Sequence, residues 1–169
     1  MESTVIIEAA SERDVKLIAS IFTANRHDPA IFLRSADDVS KNLKDFFVAK
    51  DTRGQIQGCA ALHSYSPRLG EILSVAVLPE LQGKGIGSRL VETCIQEARV
   101  KGIARLWLAT AKPDFFARFE FKPISRWELP ASVIAFKLKQ VYQQPLSRWW
   151  PALFGRFTFM EKKRNNDIA

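Results

Sequence analysis

The stretch Val77-Leu78-Pro79-Glu80-Leu81-Gln82-Gly83-Lys84-Gly85-Ile86-Gly87-Ser88 decides how this chain is read. Before it, Glu71 to Leu78 has the β-branched, apolar make-up of a strand. After it, Ile86, Leu90, Cys94 and Ala98 recur at every fourth position, with Val91 and Ile95 beside them. That spacing predicts an amphipathic helix closed by Gly102. Between strand and helix, alternating glycines permit a tight turn and a close approach of backbone to a ligand. Such a turn leaves successive N–H groups pointing outward at the positive end of the helix, a setting suited to phosphate groups. Lys84 and Arg89 add positive charge nearby.

Working outward, Ile103 to Ala109 is almost continuously apolar, as expected for a strand covered on both faces. Strand, helix and strand over 71–109 then form one βαβ crossover with a parallel strand pair. Towards the N-terminus, Val5 to Ala9 reads as a strand, and Ser11 as an N-cap with Asp14 in the first turn. Helical spacing runs to about Asn25, and a second helix is expected over Ala36 to Asp45. Phe46–Ala49 and Ile56–His63 flank the turn-like Asp51-Thr52-Arg53-Gly54 as a hairpin, and Ser66 to Gly70 ends it. Towards the C-terminus, a short helix over Asp114–Phe119 leads to a strand at Phe121–Ile124. The part from 127 to 155, with three prolines and bulky groups such as Trp149 and Trp150, receives no element, and Arg156–Met160 reads as a last strand. With no internal repeat and no low-complexity linker, the whole of 1–169 is taken as one domain with its core in 5–126 and a variable part from 127.

Composition narrows the class. A chain of 169 residues can bury a core without metals or disulfides, and 47% apolar and 25% charged residues are ordinary for a soluble globular protein. Cys59 and Cys94 share no motif, so neither a zinc site nor a disulfide is expected; both lie in apolar stretches and read as small buried hydrophobes. No metal is expected. No apolar run is long enough to span a bilayer, and Met1-Glu2-Ser3-Thr4 has no basic leader character, so a cytoplasmic setting is expected, with no membrane partner. A net charge of +7 attracts polyanions, whether nucleic acid, a membrane surface or a phosphorylated cofactor. Part of it sits in Glu161-Lys162-Lys163-Arg164, read here as a solvated end. With no helix-turn-helix signature, zinc spacing or RNP-type aromatic pattern, nucleic acid is not expected as a partner.

Three phosphate-binding patterns compete for the glycine loop. A P-loop needs Gly-x-x-x-x-Gly-Lys-Ser/Thr, which is missing. A dinucleotide fingerprint needs a third glycine where Ser88 stands, and wants its strand early in an alternating βαβ run. The string Gln82-x-x-Gly85-x-Gly87, following a strand that ends Val-x-Pro, instead resembles the GNAT acetyltransferases. The order strand, two helices, hairpin, strand, glycine loop, helix, strand, short helix, strand, over residues 5–126, is similar to theirs. The resemblance implies an α/β fold with a mixed central sheet of six to seven strands, splayed between the fourth and fifth, and about four helices. It implies acetyl-CoA as co-substrate. The backbone of Val75, Ala76 and Val77 would hold the pantetheine arm. The amides of Gln82, Gly83, Lys84, Gly85, Ile86, Gly87 and Ser88 would hold the pyrophosphate, and a strand amide would polarise the thioester carbonyl. Phe32-Leu33-Arg34, Asn42, Phe46-Phe47-Val48, Gly58-Cys59-Ala60-Ala61-Leu62, Glu71-Ile72, Phe115-Phe116 and Trp127-Glu128-Leu129-Pro130 are similar to the acetyltransferase domain of short, stand-alone N-acetylglutamate synthases. Tyr142, Trp149, Trp150 and Phe154 depart from that group's pattern, which often carries cysteines here; they would close the acceptor pocket or pack against a second subunit in a homodimer.

An ammonium must lose a proton before it can attack a thioester. Many GNAT members place a tyrosine on the short helix as acid to the departing thiolate; here Phe116 stands there, followed by Glu120 in place of a glycine, so that route is not expected. Glu71, at the start of the fourth strand, is the leading base, weighed against an exposed strand-edge acid; His63 on the neighbouring strand is the second, weighed against an ordinary hydrogen-bonded histidine. For an amino-acid acceptor, Arg34 and Lys112 are the candidate carboxylate partners, weighed against solvated surface charges. The function expected is acetyl transfer from acetyl-CoA to the amino group of a small molecule, such as glutamate. The alternatives are a protein or peptide acetyltransferase, or a non-catalytic acyl-CoA sensor.

Overall fold

Two reciprocal caps set the helices on the first side of the sheet. Ser11 and Asp14 bond each other, Ser11 N and Oγ both reaching Asp14 Oδ2 at 2.8 Å. Ser35 and Asp38 repeat the arrangement, Asp38 N donating to Ser35 Oγ at 3.1 Å and Ser35 N to Asp38 Oδ2 at 3.0 Å. The structure is a computed structural model that describes residues 5–28, 31–131, 133–135 and 157–164. Its elements are β1 (Ile6–Ala9), α1 (Val15–Ala24), α2 (Ala36–Lys41), β2 (Phe46–Lys50), β3 (Ile56–Ser66), β4 (Leu69–Val77), α3 (Ile86–Val100), β5 (Arg105–Thr110), α4 (Pro113–Ala117), β6 (Lys122–Ile124) and β7 (Thr158–Lys163). Tyr142, Trp149, Trp150 and Phe154 lie outside the described residues.

Seven strands form one sheet in the order β1-β2-β3-β4-β5-β7-β6. Neighbours from β1 to β4 are antiparallel, and β4 and β5 are parallel, as the βαβ reading expects. That parallel pair holds only at Leu69↔Arg105, Gly70↔Leu106 and Glu71↔Trp107. Beyond Glu71 the two strands part, so the sheet is splayed at the fourth and fifth strands, the GNAT architecture expected.

The sheet separates two apolar layers. Ile72, Val77, Leu62 and Ala60 face α3, whose Ile86, Leu90, Val91 and Cys94 are buried against them. Val48, Cys59, Ala61 and Ala76 face α1, whose Ile18, Ile21 and Phe22 are buried with Val39 of α2. α3 approaches β3 closely because Gly58 has no side chain; a Cβ there would lie 3.0 Å from Ala76 O and 3.1 Å from Leu90 Cδ1.

Several boundaries differ from the sequence reading, and four have a structural consequence. The second helix stops at Lys41, not at Asp45, and Leu43–Asp45 forms a separate 3-10 turn. Asn42 breaks the helix, its side-chain Nδ2 donating to Asp38 O at 2.9 Å while its backbone leaves helical angles (φ −120°, ψ 19°). The hairpin is longer than expected, since Ser66 Oγ accepts from the amides of Arg68 and Leu69 (3.3 and 3.1 Å) and tightens the turn at Pro67-Arg68. The short helix ends at Ala117, and Glu120 occupies the left-handed region at φ +66°. The last strand covers Thr158–Lys163 rather than 156–160, and it lies between β5 and β6. The segment read as a solvated end is therefore largely strand. Glu161 is buried there and accepts from Arg105 Nε at 2.5 Å.

Candidate active site

β4 governs the site. Its pairing with β3 runs Ala61↔Leu73 and then Cys59↔Ala76, so β4 carries one extra residue between these pairs. Ser74 sits in this bulge at φ +58°, an unusual conformation for a residue with a side chain. The bulge re-phases the strand: Leu73 and Ala76 both face the α1 side, three positions apart. Val75, Ala76 and Val77 follow it, at the end of β4 that β5 has left.

The next turn lifts the chain to α3. Gly83 (φ +78°) and Gly85 (φ +82°) take left-handed angles that cost a residue with a Cβ about 1–2 kcal/mol. Gly85 caps α3 and accepts Arg89 N at 3.1 Å. Among the described residues, the amides of Gly83, Lys84, Gly85, Ile86, Gly87 and Ser88 have no acceptor in the chain. Six successive donors at a positive helix end fit a pyrophosphate. Gln82 differs from them. Its amide bonds Pro79 O at 3.3 Å, and its side-chain Nε2 reaches Asn25 Oδ1 at 3.0 Å and Val77 O at 3.3 Å. Asn25 is buried at the end of α1 and gives a second bond to Val77 O, at 3.0 Å. Gln82 thus ties the loop to the protein, and Ile86 anchors the other end in the core. Gly87 packs towards the Phe115 ring, and Arg118, stacked over that ring at 4.8 Å, donates to Ser88 Oγ at 3.4 Å. With Lys84 and Arg89 it makes the rim cationic.

A second cleft opens on the α1 side of the bulge, lined by Arg34, Asp45, Phe46, His63, Leu73 and Ser74. Arg34 comes from the loop before α2, and its Nε donates to Ser74 Oγ at 3.3 Å. Desolvation lowers the Arg34 pKa, opposed by the nearby charges of Glu71 and Asp38. His63 and Glu71 are directly opposite on β3 and β4, so their side chains share a face. Glu71 is only 1% exposed and accepts the Tyr65 hydroxyl at 2.6 Å. Burial pushes the Tyr65 hydroxyl well above its ordinary value, with the Glu71 charge adding to it, so this phenol stays a donor. His63 Nδ1 lies 2.7 Å from Asp45 Oδ2, and the imidazole edge meets the Tyr65 ring at 4.8 Å between centroids.

The fold therefore gathers Arg34, His63 and Glu71, but it sets Lys112 elsewhere. Lys112 is exposed at the start of α4, with its Nζ 3.5 Å from Asp28 Oδ2. Phe116 is buried, edge-on to Phe115 and Phe121. Four contributors escape sequence reading. Tyr65 lies two residues from His63 and could have been found by strand alternation. Asp45 is hidden by its assignment to a helix, and neither Ser74 nor Asn25 carries any local signal.

The family model of the acetyltransferase (GNAT) family matches residues 11–121. An uncharacterized N-acetyltransferase, CT2212 of Chlorobaculum tepidum, is 33% identical over 120 residues, covering 71% of this chain and 77% of that protein. The amino-acid acetyltransferase of Mycobacterium tuberculosis is 39% identical over 93 residues, which is 54% of this chain and 53% of that protein. Among solved structures, Rv2747 from Mycobacterium tuberculosis, in complex with CoA and NLQ, superposes with a TM-score of 0.79 at 27% identity, covering 94% of this chain and 99% of that one. The N-acetylglutamate synthase from Neisseria gonorrhoeae, complexed with coenzyme A and N-acetyl-glutamate, gives 0.77 at 25% identity; 96% of this chain is covered but only 36% of that chain. The chain thus spans about half of one named amino-acid acetyltransferase and about a third of that synthase. With the splayed sheet, the open-amide loop and this match together, the chain belongs to the acetyltransferase (GNAT) family and is an acetyl-CoA-dependent N-acetyltransferase.

Proposed function

We propose that the chain acetylates the amino group of a small amino acid, with glutamate as the leading acceptor. The observation that carries this reading is the meeting of a desolvated arginine, Arg34, with His63 in one cleft beside the β4 bulge, with Glu71 buried opposite His63 on β4. A guanidinium offers a carboxylate two parallel donors, and the pairing strengthens where water is scarce. The names of the relatives, amino-acid acetyltransferase and N-acetylglutamate synthase, point to the same acceptor class.

Acetyl-CoA, once bound, supplies an activated acetyl thioester. The amides of residues 83–88 hold its pyrophosphate, the end of β4 aligns its arm, and a β4 amide polarises the thioester carbonyl. Arg34 orients the acceptor by its carboxylate. His63, with the Glu71 carboxylate opposite it on β4, takes the proton that the ammonium must lose. As the new C–N bond forms, the C–S bond breaks; the nitrogen sheds its second proton to water, water protonates the departing thiolate, and the proton taken by the base is the one released overall. Phe116 has no proton to give, so α4 acts here through packing alone.

A free-thiol assay with acetyl-CoA against all amino acids and common polyamines tests the reading. Turnover with glutamate or another acidic amino acid supports it. Thiol release with polyamines alone, or with no amine, overturns it.

A further inference from the structure

We propose that Asp45 is a positioning residue for His63, holding the imidazole as its Nδ1–H tautomer so that Nε2 carries the lone pair that receives the acceptor's proton. The inference rests on the function proposed above and assigns it a residue outside the His63–Glu71 pair.

The geometry is that of a carboxylate–imidazole pair in a partly buried setting. Nδ1 and Oδ2 are 2.7 Å apart, and the side chains are 26% (His63) and 11% (Asp45) exposed. A carboxylate can only accept, so Nδ1 donates to it and the neutral ring's lone pair lies on Nε2. The backbones of both residues are fixed. Asp45 closes the 3-10 turn that follows Asn42, its amide bonded to Asn42 O at 2.9 Å. His63 is paired with Glu71 of β4, two residues beyond the last β2 pair (Phe46↔Ala61), with Tyr65 at right angles to its ring (89°). The ring is thus held at Nδ1 and along its edge, leaving little rotational freedom.

The residue type matters as well. A carboxamide can turn either its oxygen or its NH2 towards Nδ1 and so does not fix the tautomer, whereas a carboxylate only accepts. A carboxylate in that place does something more: it stabilises the imidazolium that appears when His63 takes a proton. Among the described residues, the charged and titratable neighbours are Arg34 from the loop before α2, Asp45 itself, Tyr65 on β3 and Glu71 on β4. Among the described residues that line the cleft, the cation is Arg34, suited to the acceptor's carboxylate, and the carboxylate is Asp45, aimed at the base rather than at the substrate.

The test uses the full chain with Asp45→Asn, His63→Gln and the double variant. It follows kcat, acceptor KM, CoA affinity by calorimetry, and ¹⁵N-histidine NMR. The chain has only two histidines, His27 and His63, so the His63→Gln spectrum assigns the signals. The expected wild-type spectrum has neutral His63 protonated at Nδ1. Asp45→Asn should switch it to Nε2–H, lower kcat by about 10²-fold or more, and leave CoA affinity and acceptor KM nearly unchanged. The double variant should be no worse than His63→Gln alone. A wild-type Nε2–H tautomer overturns the inference without any variant having to fold. So does Asp45→Asn with wild-type kcat, or losses that simply add. Full turnover by His63→Gln would instead sink the base assignment of the proposed function, while the wild-type tautomer would still report on Asp45.

Discussion

The loop at Gly83–Ser88 and the cleft around Arg34 are built in opposite ways, although both hang from β4. The loop works with backbone: consecutive amides, two left-handed glycines and the start of a helix, all within six residues. The cleft works with side chains brought from the loop before α2, the turn before β2, the middle of β3 and the bulge in β4. A backbone site tolerates most side-chain changes and is broken by conformation. A side-chain site tolerates modest backbone shifts and is broken by single functional groups. The two should therefore fail separately, the loop through cofactor affinity and the cleft through turnover and acceptor KM.

The strongest way to break that separation is His63→Gln. Loss of a positioned base is expected to lower kcat by about 10²- to 10⁴-fold, while calorimetry shows unchanged CoA affinity. A matching loss of CoA binding would mean that the two sites are not independent. Arg34→Ala is next. Removing a charge-assisted partner worth about 1.5–3 kcal/mol should raise the KM of an acidic amino acid by about 10- to 150-fold. An unchanged acceptor KM would take Arg34 out of the site.

Gly85→Ala probes the other region. Nothing lies within 4 Å of a Cβ built there, so the cost is conformational and not steric. At about 1–2 kcal/mol for a left-handed alanine, CoA should bind about 5- to 30-fold more weakly, with the KM of the acceptor unaltered. The smallest effect concerns the two thiols, which belong to neither region. Burial pushes Cys59 far up and Cys94 up to about 12, from an ordinary value of 9.0. In the folded protein both should resist thiol reagents, giving the thiol-release assay a clean background. Because folding raises these values, their contribution is intact below pH 9.0 and fades as pH rises towards about 12. A falling melting temperature across that alkaline range, followed by calorimetry, checks the sign.

The loop was legible because its physics is local. Glycine spacing, an apolar strand before it and a fourfold helical repeat after it are all written within thirty residues. Even there, Gln82 reads as another pyrophosphate amide, and its side chain also braces the loop against Asn25 at the far end of α1, which no local pattern shows. In the cleft, Glu71 and His63 could be named singly, but their pairing depends on the register of β3 with β4. Lys112 looked as suitable as Arg34, and only the fold separates the desolvated arginine from the exposed lysine.

By itself, the sequence determined the α/β class, the crossover around α3, the phosphate-binding turn and the absence of a phenolic proton donor at Phe116. These follow from short-range periodicity, from glycine's freedom in φ and from the chemistry of one ring. Tertiary structure alone decided where β4 leaves β5, which charges lose their water, and that a carboxylate ending one turn would meet an imidazole on another strand. Such facts depend on register and burial, which are set by the whole sheet closing at once, and no local pattern of residues encodes them.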